Sequence, residues 1–266
     1  MIPFSSINPR SYSYRIYFKC VIAALLFGLL FLCGWHLDIR PFKIIPGMKN
    51  LFTLLNDAFP PDMSLFSVSL KAVAETLQIA YMGTLLGLAL SLPFGILGAR
   101  NLFSKRVTIP VRVFLGAIRT MPSLLWAVVF VIMIGLGPFA GVLATVMYTT
   151  GYLGKLQYEA IEGINPEPLE AMSGMGANKF QLIRFVVIPE SANHLISQAL
   201  FMFEYNVRAS TILGFVGAGG IGFYISAYLR YLEYDKVFML ILIVFVTVLI
   251  IDYISLKIRD RYLMIK

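Results

Sequence analysis

Six apolar runs divide the chain, at about residues 20–37, 74–99, 111–135, 138–154, 183–204 and 237–256. Each approaches the roughly 20 residues an α-helix needs to cross the hydrocarbon layer of a bilayer. The pattern predicts an all-α polytopic membrane protein with about six transmembrane helices. The third and fourth runs join through Gly135-Leu136-Gly137-Pro138, too short for a domain. A further apolar, glycine-rich stretch at 208–232 is bracketed by Arg208 and Arg230. It is expected to be re-entrant or broken, because irregular backbone at membrane depth must be buried in protein or line a cavity. The expected division is an N-terminal membrane helix and outer loop over 1–70, then a main transmembrane domain over 71–260 that contains a polar loop at 155–184.

Composition agrees with a bilayer setting: 59% of the 266 residues are hydrophobic and 14% are charged, against about a quarter charged in soluble domains. The net charge of +8 does not point to nucleic acid, since the basic residues are spread between apolar runs and not gathered on one face. They read as topology signals. With the N-terminus inside, segments 1–19, 100–112, 155–184 and 257–266 hold fourteen of the 22 basic residues, which predicts a cytoplasmic location for both termini. Arg40, Lys43, Lys49 and Lys71 fall in the outer loop and oppose this, but that loop is long enough for its charges to count less. Arg10, Arg15 and Lys19 precede an apolar run longer than a signal-peptide core, with no small-x-small cleavage site, so the first helix is expected to be retained. Cys20 and Cys33 are about 20 Å apart on one helix and cannot bond to each other within it. With His36 and His194 as the only histidines, no metal site is expected.

The polar island at 155–184 carries the clearest local signals. Asn165 is a good N-cap, Pro166 suits the first helical position, and Glu167 and Glu170 complement the helix dipole. Leu169, Met172 and Met175 share one face of a short helix, Gly176 suits a left-handed C-cap, and Asn178 caps the next helix. An exposed amphipathic helix with a Met-rich face suits a groove on a partner protein; an ordinary solvated loop is the plainer alternative.

Beyond the island, Glu190, Asn193, His194, Ser197 and Gln198 form one polar face on the fifth helix. It is either a pore lining or a polar packing face against neighbouring helices. Glu204 and Arg208 are spaced for an intrahelical ion pair near the outer end of the path, as a gate or simply as mutual compensation. The run Gly217-Ala218-Gly219-Gly220-Ile221-Gly222 matches a dinucleotide fingerprint, but no strand pattern precedes it and no acidic residue follows about 20 positions on. It reads as a tight turn or a close helix approach, or else as a nest of amides for an anion. Gly83, Gly87, Ser91, Gly95 and Ala99 make a small-residue stripe for helix packing. Arg119-Thr120-Met121-Pro122 sets a charge and a helix breaker near the cytoplasmic face, either as a substrate exit or as a snorkelling arginine.

The island resembles the coupling loop of ABC importer permeases, which reads E-A-A, three residues, Gly, nine residues, Ile-x-Leu-Pro. Glu170, Ala171, Gly176 and Pro189 match at that spacing, while Met172, Val186 and Ile188 depart mildly. FPPD at 59–62, ETLQIAYMGT at 75–84, SLPFGILGARN at 91–101 and FEYNVRASTILGFVGAGGIG at 203–222 narrow the resemblance. The chain is similar, over about 50–260, to the permease subunit of phosphonate-type ABC importers. That resemblance implies the type I importer fold of the methionine-permease kind, a bacterial inner (plasma) membrane location, and uptake of phosphonate, phosphite or hypophosphite. It implies three kinds of partner: a second copy of the chain, two ATPase subunits, and an extracytoplasmic substrate-binding protein. Glu170, Ala171, Met172, Gly176 and Pro189 would couple to the ATPase. Glu204, Asn206, Arg208 and Gly217, Gly219, Gly220 and Gly222 would shape the translocation path, together with the polar face of the fifth helix. No Walker A motif G-x-x-x-x-G-K-[ST] occurs, so ATP and Mg belong to the partner and no cofactor is expected on this chain. An ABC permease for another small solute, such as an amino acid, is the near alternative. An integral-membrane enzyme is a distant one, since no G-x-S-x-G, metal cluster or paired membrane carboxylates are found. A passive channel would give the coupling loop no purpose.

Overall fold

A computed structural model describes residues 9–262, which are helical apart from turns and short connections, with no strand among them. Lys266, counted above with the basic C-terminal end, lies outside the described residues. The chain forms two compact units that divide between Asn56 and Asp57. The first holds α1 (Pro9–His36) and most of α2 (Ile44–Ala58). In the loop between these helices, Asp38 pairs with Arg40 and Lys43.

The second unit is a helical bundle. Its elements are α3 (Phe66–Gly98), α4 (Lys105–Thr120), α5 (Ser123–Ile134), α6 (Pro138–Glu162), α7 (Pro166–Gly174), α8 (Lys179–Leu182), α9 (Ile188–Leu213), α10 (Ile221–Arg230) and α11 (Tyr234–Tyr262). Tyr17–His36, Met63–Gly98 and Tyr234–Arg261 are each long and apolar enough to cross a membrane alone. Two bent pairs of helices reach that standard together, α4 with α5 at 83° and Lys179–Val216 with α10 at 44°. The sixth expected span, α6, is less apolar because it is the central helix. It packs against α3, α4, α5 and α9 and meets them through Gly, Ala and Thr.

The glycine stripe sets the register of that centre. A Cβ on Gly83 would meet Thr145, one on Gly87 would meet Thr149 at 2.6 Å, and one on Gly95 would meet Gln157 at 2.7 Å. Both partners advance in step, so α3 and α6 run parallel, and side chains larger than hydrogen would hold them apart. Gln157 also donates to Ser91 Oγ at 2.9 Å. Antiparallel to α6, α4 seats Leu115 against Gly154 and Ile118 against Gly151.

Pro122 ends the continuous helix expected over 111–135. Proline offers no amide hydrogen and pushes its predecessor out of helical conformation; Met121 is extended at φ −90°, ψ 123°. The break lies beside Gly151, near the middle of α6, and so at mid-depth of the bundle. Arg119 is therefore not at the cytoplasmic face where the sequence pattern placed it. Pro189 is handled differently. A single π turn at Ile183–Val187 precedes it, shifting the hydrogen-bond register so that the helix continues without the missing amide hydrogen. The segment 208–232 resolves into the end of α9, a 3₁₀ turn at Gly214–Val216, a glycine loop and α10.

Candidate functional site

Three regions hold the expected site residues: the α7 corner, the middle of α9, and the glycine loop. At the corner, Asn165 Oδ1 accepts from the Glu167 amide at 3.1 Å, and Pro166 opens α7. Gly176 is left-handed at φ +80°, and the Gly176 and Ala177 amides donate back to Ser173 and Met172 carbonyls. Asn178 and Gln181 then close a capping box that starts the next helix. Leu169 turns inward onto the cluster of Ala99, Leu102, Ile161 and Val187. Met175, in contrast, is 74% exposed, and Glu170 and Ala171 are exposed beside it. The expected Met-rich face is thus divided. Leu169 anchors the helix, Met172 is half-buried, and Met175 is free to meet a partner.

Below this corner, Glu162 gathers three elements. It accepts from the Arg100 amide at 2.7 Å and pairs with Arg112, whose Nε donates to the Gly98 carbonyl. The Arg112 guanidinium also lies 4.1 Å from the centre of the Tyr158 ring. The C-terminal ends of α3 and α6 are thus tied to the middle of α4. Nothing in the local sequence pattern marks Glu162, since its partners come from distant parts of the chain.

In the middle of α9, Asn206 is buried and donates to Thr84 Oγ1 and Thr149 Oγ1, both at 2.8 Å. These threonines sit near the centres of α3 and α6, so Asn206 marks mid-depth and faces protein. Glu204 and Arg208 do not pair with each other. Arg259 Nη2 donates to Glu204 at 2.6 Å, and Arg208 Nη1 reaches both oxygens of Asp252 at 3.1 and 3.3 Å. The i, i+4 spacing allowed the intrahelical pair, but α11 supplies partners for both residues. Their level is the middle of the bundle, not its outer end.

Glu190, Asn193 and His194 are exposed, and Ser197 and Gln198 are half-buried. Gln198 donates to the Leu156 carbonyl at 3.2 Å. Glu190 lies about 24 Å along the helix from Asn206, and His194 about 18 Å. Both distances exceed the roughly 15 Å half-thickness of a hydrocarbon core. Glu190 and His194 therefore sit at the α7 end of the bundle, and the face enters the hydrocarbon depth only through Ser197 and Gln198. The opposite face of α9 lines a groove against α3 with Leu85, Leu88, Leu92, Ile196 and Leu200. That groove is apolar and offers an ion no seat.

The glycine loop makes its sharp turns with Gly217, Gly219 and Gly220, all at positive φ. A Cβ on Gly219 would meet Glu75 Oε1 at 2.8 Å and the Pro138 backbone at 2.9 Å. The Gly220 amide donates to Glu75 Oε1, and the Ile221 amide donates to Thr76 Oγ1, each at 2.8 Å. Gly222 packs against Thr211. The run is the tight turn and close approach the sequence pattern favoured, and at the Gly220 amide the alternative anion nest already holds this chain's own carboxylate. Glu75 was not singled out by the sequence pattern, and its partner lies 145 residues away.

Residues 91–262, a membrane bundle with a capped exposed corner helix, match the model of binding-protein-dependent transport system inner membrane components. The chain belongs to that family. The permease is thus an integral inner-membrane transport component. It is 36% identical to a putative phosphite transport system permease protein of Stutzerimonas stutzeri, over 89% of this chain and 84% of that one. A phosphite transport system permease protein of the same organism is 33% identical, over 90% and 88%. A phosphate-import permease protein of Mycolicibacterium smegmatis (strain ATCC 700084 / mc(2)155) is 37% identical over 85% of this chain, which covers 43% of that longer protein. Among solved structures, an inward-facing methionine ABC transporter shares the fold. Its TM-score is 0.66 at 23% identity, covering 74% of this chain and 97% of that one.

Proposed function

We propose that the permease moves a small phosphorus oxyanion, namely a phosphonate, phosphite or hypophosphite, into the cytoplasm. The observation that carries this reading is the likeness along most of the chain to phosphite permeases. Two copies of the chain would enclose the path, two separate ATPase subunits would dock on the α7 corners, and a binding protein would deliver substrate on the opposite side. Exposure of Glu170, Ala171 and Met175 at a rigidly capped corner supports the docking role. Exposure of Glu190, Asn193 and His194 toward the α7 end is compatible with an aqueous vestibule there. On this reading the α7 end is cytoplasmic, both termini are cytoplasmic, and ATP and Mg bind to the partner alone.

The test is ATP hydrolysis by the complex purified from its native membrane with its partners. It is challenged with methylphosphonate, 2-aminoethylphosphonate, phosphite, hypophosphite, phosphate and methionine. Stimulation by a reduced phosphorus compound is expected. Stimulation by methionine alone would move the permease to the amino acid class.

A further inference from the structure

We propose that Arg119, with the hydroxyls of Tyr148, Tyr152 and Tyr205, is the mid-depth stop at which the transported oxyanion pauses. The inference rests on the oxyanion reading above and adds the residues that would hold the ion.

Arg119 ends α4 at the 83° break before α5. It lies level with Gly151 and hence within two residues of the Thr149 layer. The other guanidiniums that tie the bundle together each carry a carboxylate: Arg112 has Glu162, Arg208 has Asp252 and Arg259 has Glu204. Arg119 is half-buried and makes no ion pair or hydrogen bond among the described residues. A cation at mid-membrane is costly unless it is paired or hydrated. The α4 C-terminal dipole offsets only a part of this. An anion arriving there would supply the missing partner.

The same level of α6 carries neutral donors. Tyr148 and Tyr152 stack on α6 with centroids 5.9 Å apart, and Tyr205 of α9 stacks on Tyr148 at 5.3 Å. Tyr148 and Tyr152 lie three residues before and one after Gly151, against which the Arg119 backbone rests. Phenol hydroxyls donate to oxyanions at neutral pH, and a guanidinium matches phosphoryl-like oxygens with parallel N–H bonds. One cation with neutral donors, rather than a cluster of cations, suits an ion that must also leave.

The layer also connects to an exit. Tyr205 continues the α9 polar face of Glu190, His194 and Gln198 at helical spacing. On α6, Tyr152 is followed toward the same end by Lys155 and Glu159, paired at 3.3 Å. Gln198 bridges to the Leu156 carbonyl between the two lines. Polar groups from both helices therefore lead from Arg119 to the α7 end.

The experiment uses the permease with its ATPase and binding protein in liposomes. Uptake of labelled phosphite and methylphosphonate is measured per assembled complex, alongside complex yield and basal ATP hydrolysis. Arg119→Gln is expected to lower uptake about 10- to 100-fold, the worth of one charge-assisted hydrogen bond, with yield and basal hydrolysis kept. Arg119→Lys should retain part of the uptake, and Tyr205→Phe should lower it several-fold. Wild-type uptake per complex in Arg119→Gln would overturn the proposal. So would failure of Arg119→Gln to assemble together with unchanged transport by Tyr205→Phe, which would make Arg119 a packing residue. A wild-type complex that imports neither compound removes the oxyanion reading itself, and this is seen before any variant is compared.

Discussion

Arg208 and Glu204 join α9 to α11 through Asp252 and Arg259, and the two pairs differ in burial. The Glu204 side chain is 8% exposed and that of Arg208 is 44% exposed. Glu204→Gln should therefore destabilise the fold by about 2–3 kcal/mol, because it strands Arg259 in a largely buried setting. Arg208→Gln should cost about 1 kcal/mol or less, as expected for a half-exposed pair. Thermal unfolding in detergent would rank the two, and Arg208→Asp with Asp252→Arg should recover part of the Arg208→Asp loss. Asn206→Ala should cost about 1–3 kcal/mol, since it removes two hydrogen bonds at once and leaves the Thr84 and Thr149 hydroxyls with fewer partners. None of these partnerships was legible from spacing. The sequence places Glu204 four residues before Arg208, whereas their actual partners lie 55 and 44 residues away on another helix.

At the scale of elements, structure that depends on near neighbours was legible and depth was not. Asn165, Gly176 and Asn178 act within a few residues of themselves, so the caps of α7 and of the following helix follow directly from residue type. The stripe from Gly83 to Ala99 likewise marked a contact face, although which helix fills it depends on the whole bundle. Gly87→Val should drive a methyl into Thr149, part α3 from α6 and disturb the neighbouring Asn206 bridge. The expected cost is about 1–3 kcal/mol for such overpacking, checked by the yield of monodisperse protein on size exclusion. Pro122 was recognisable as a breaker, but its level was not. That level follows from Ile118 resting on Gly151, which fixes how far α4 has travelled along α6.

For the whole molecule, the exposed α7 corner is where an ATPase stroke would enter. It is rigidly joined to the bundle through Leu169 inside the Ile161–Val187 cluster and through the neighbouring Glu162 clamp. Glu170→Lys should leave folding intact because the residue is exposed, while the ATPase should no longer co-purify and uptake should fall to background. Normal uptake in that variant would refute the coupling role. At the other end, the Gly220 amide is held by a carboxylate on the same polypeptide. A group on the same chain is held at its partner by the fold itself. A dissolved anion must compete there with a rival that cannot diffuse away. Such an anion could reach the Gly220 amide only by displacing the Glu75 carboxylate.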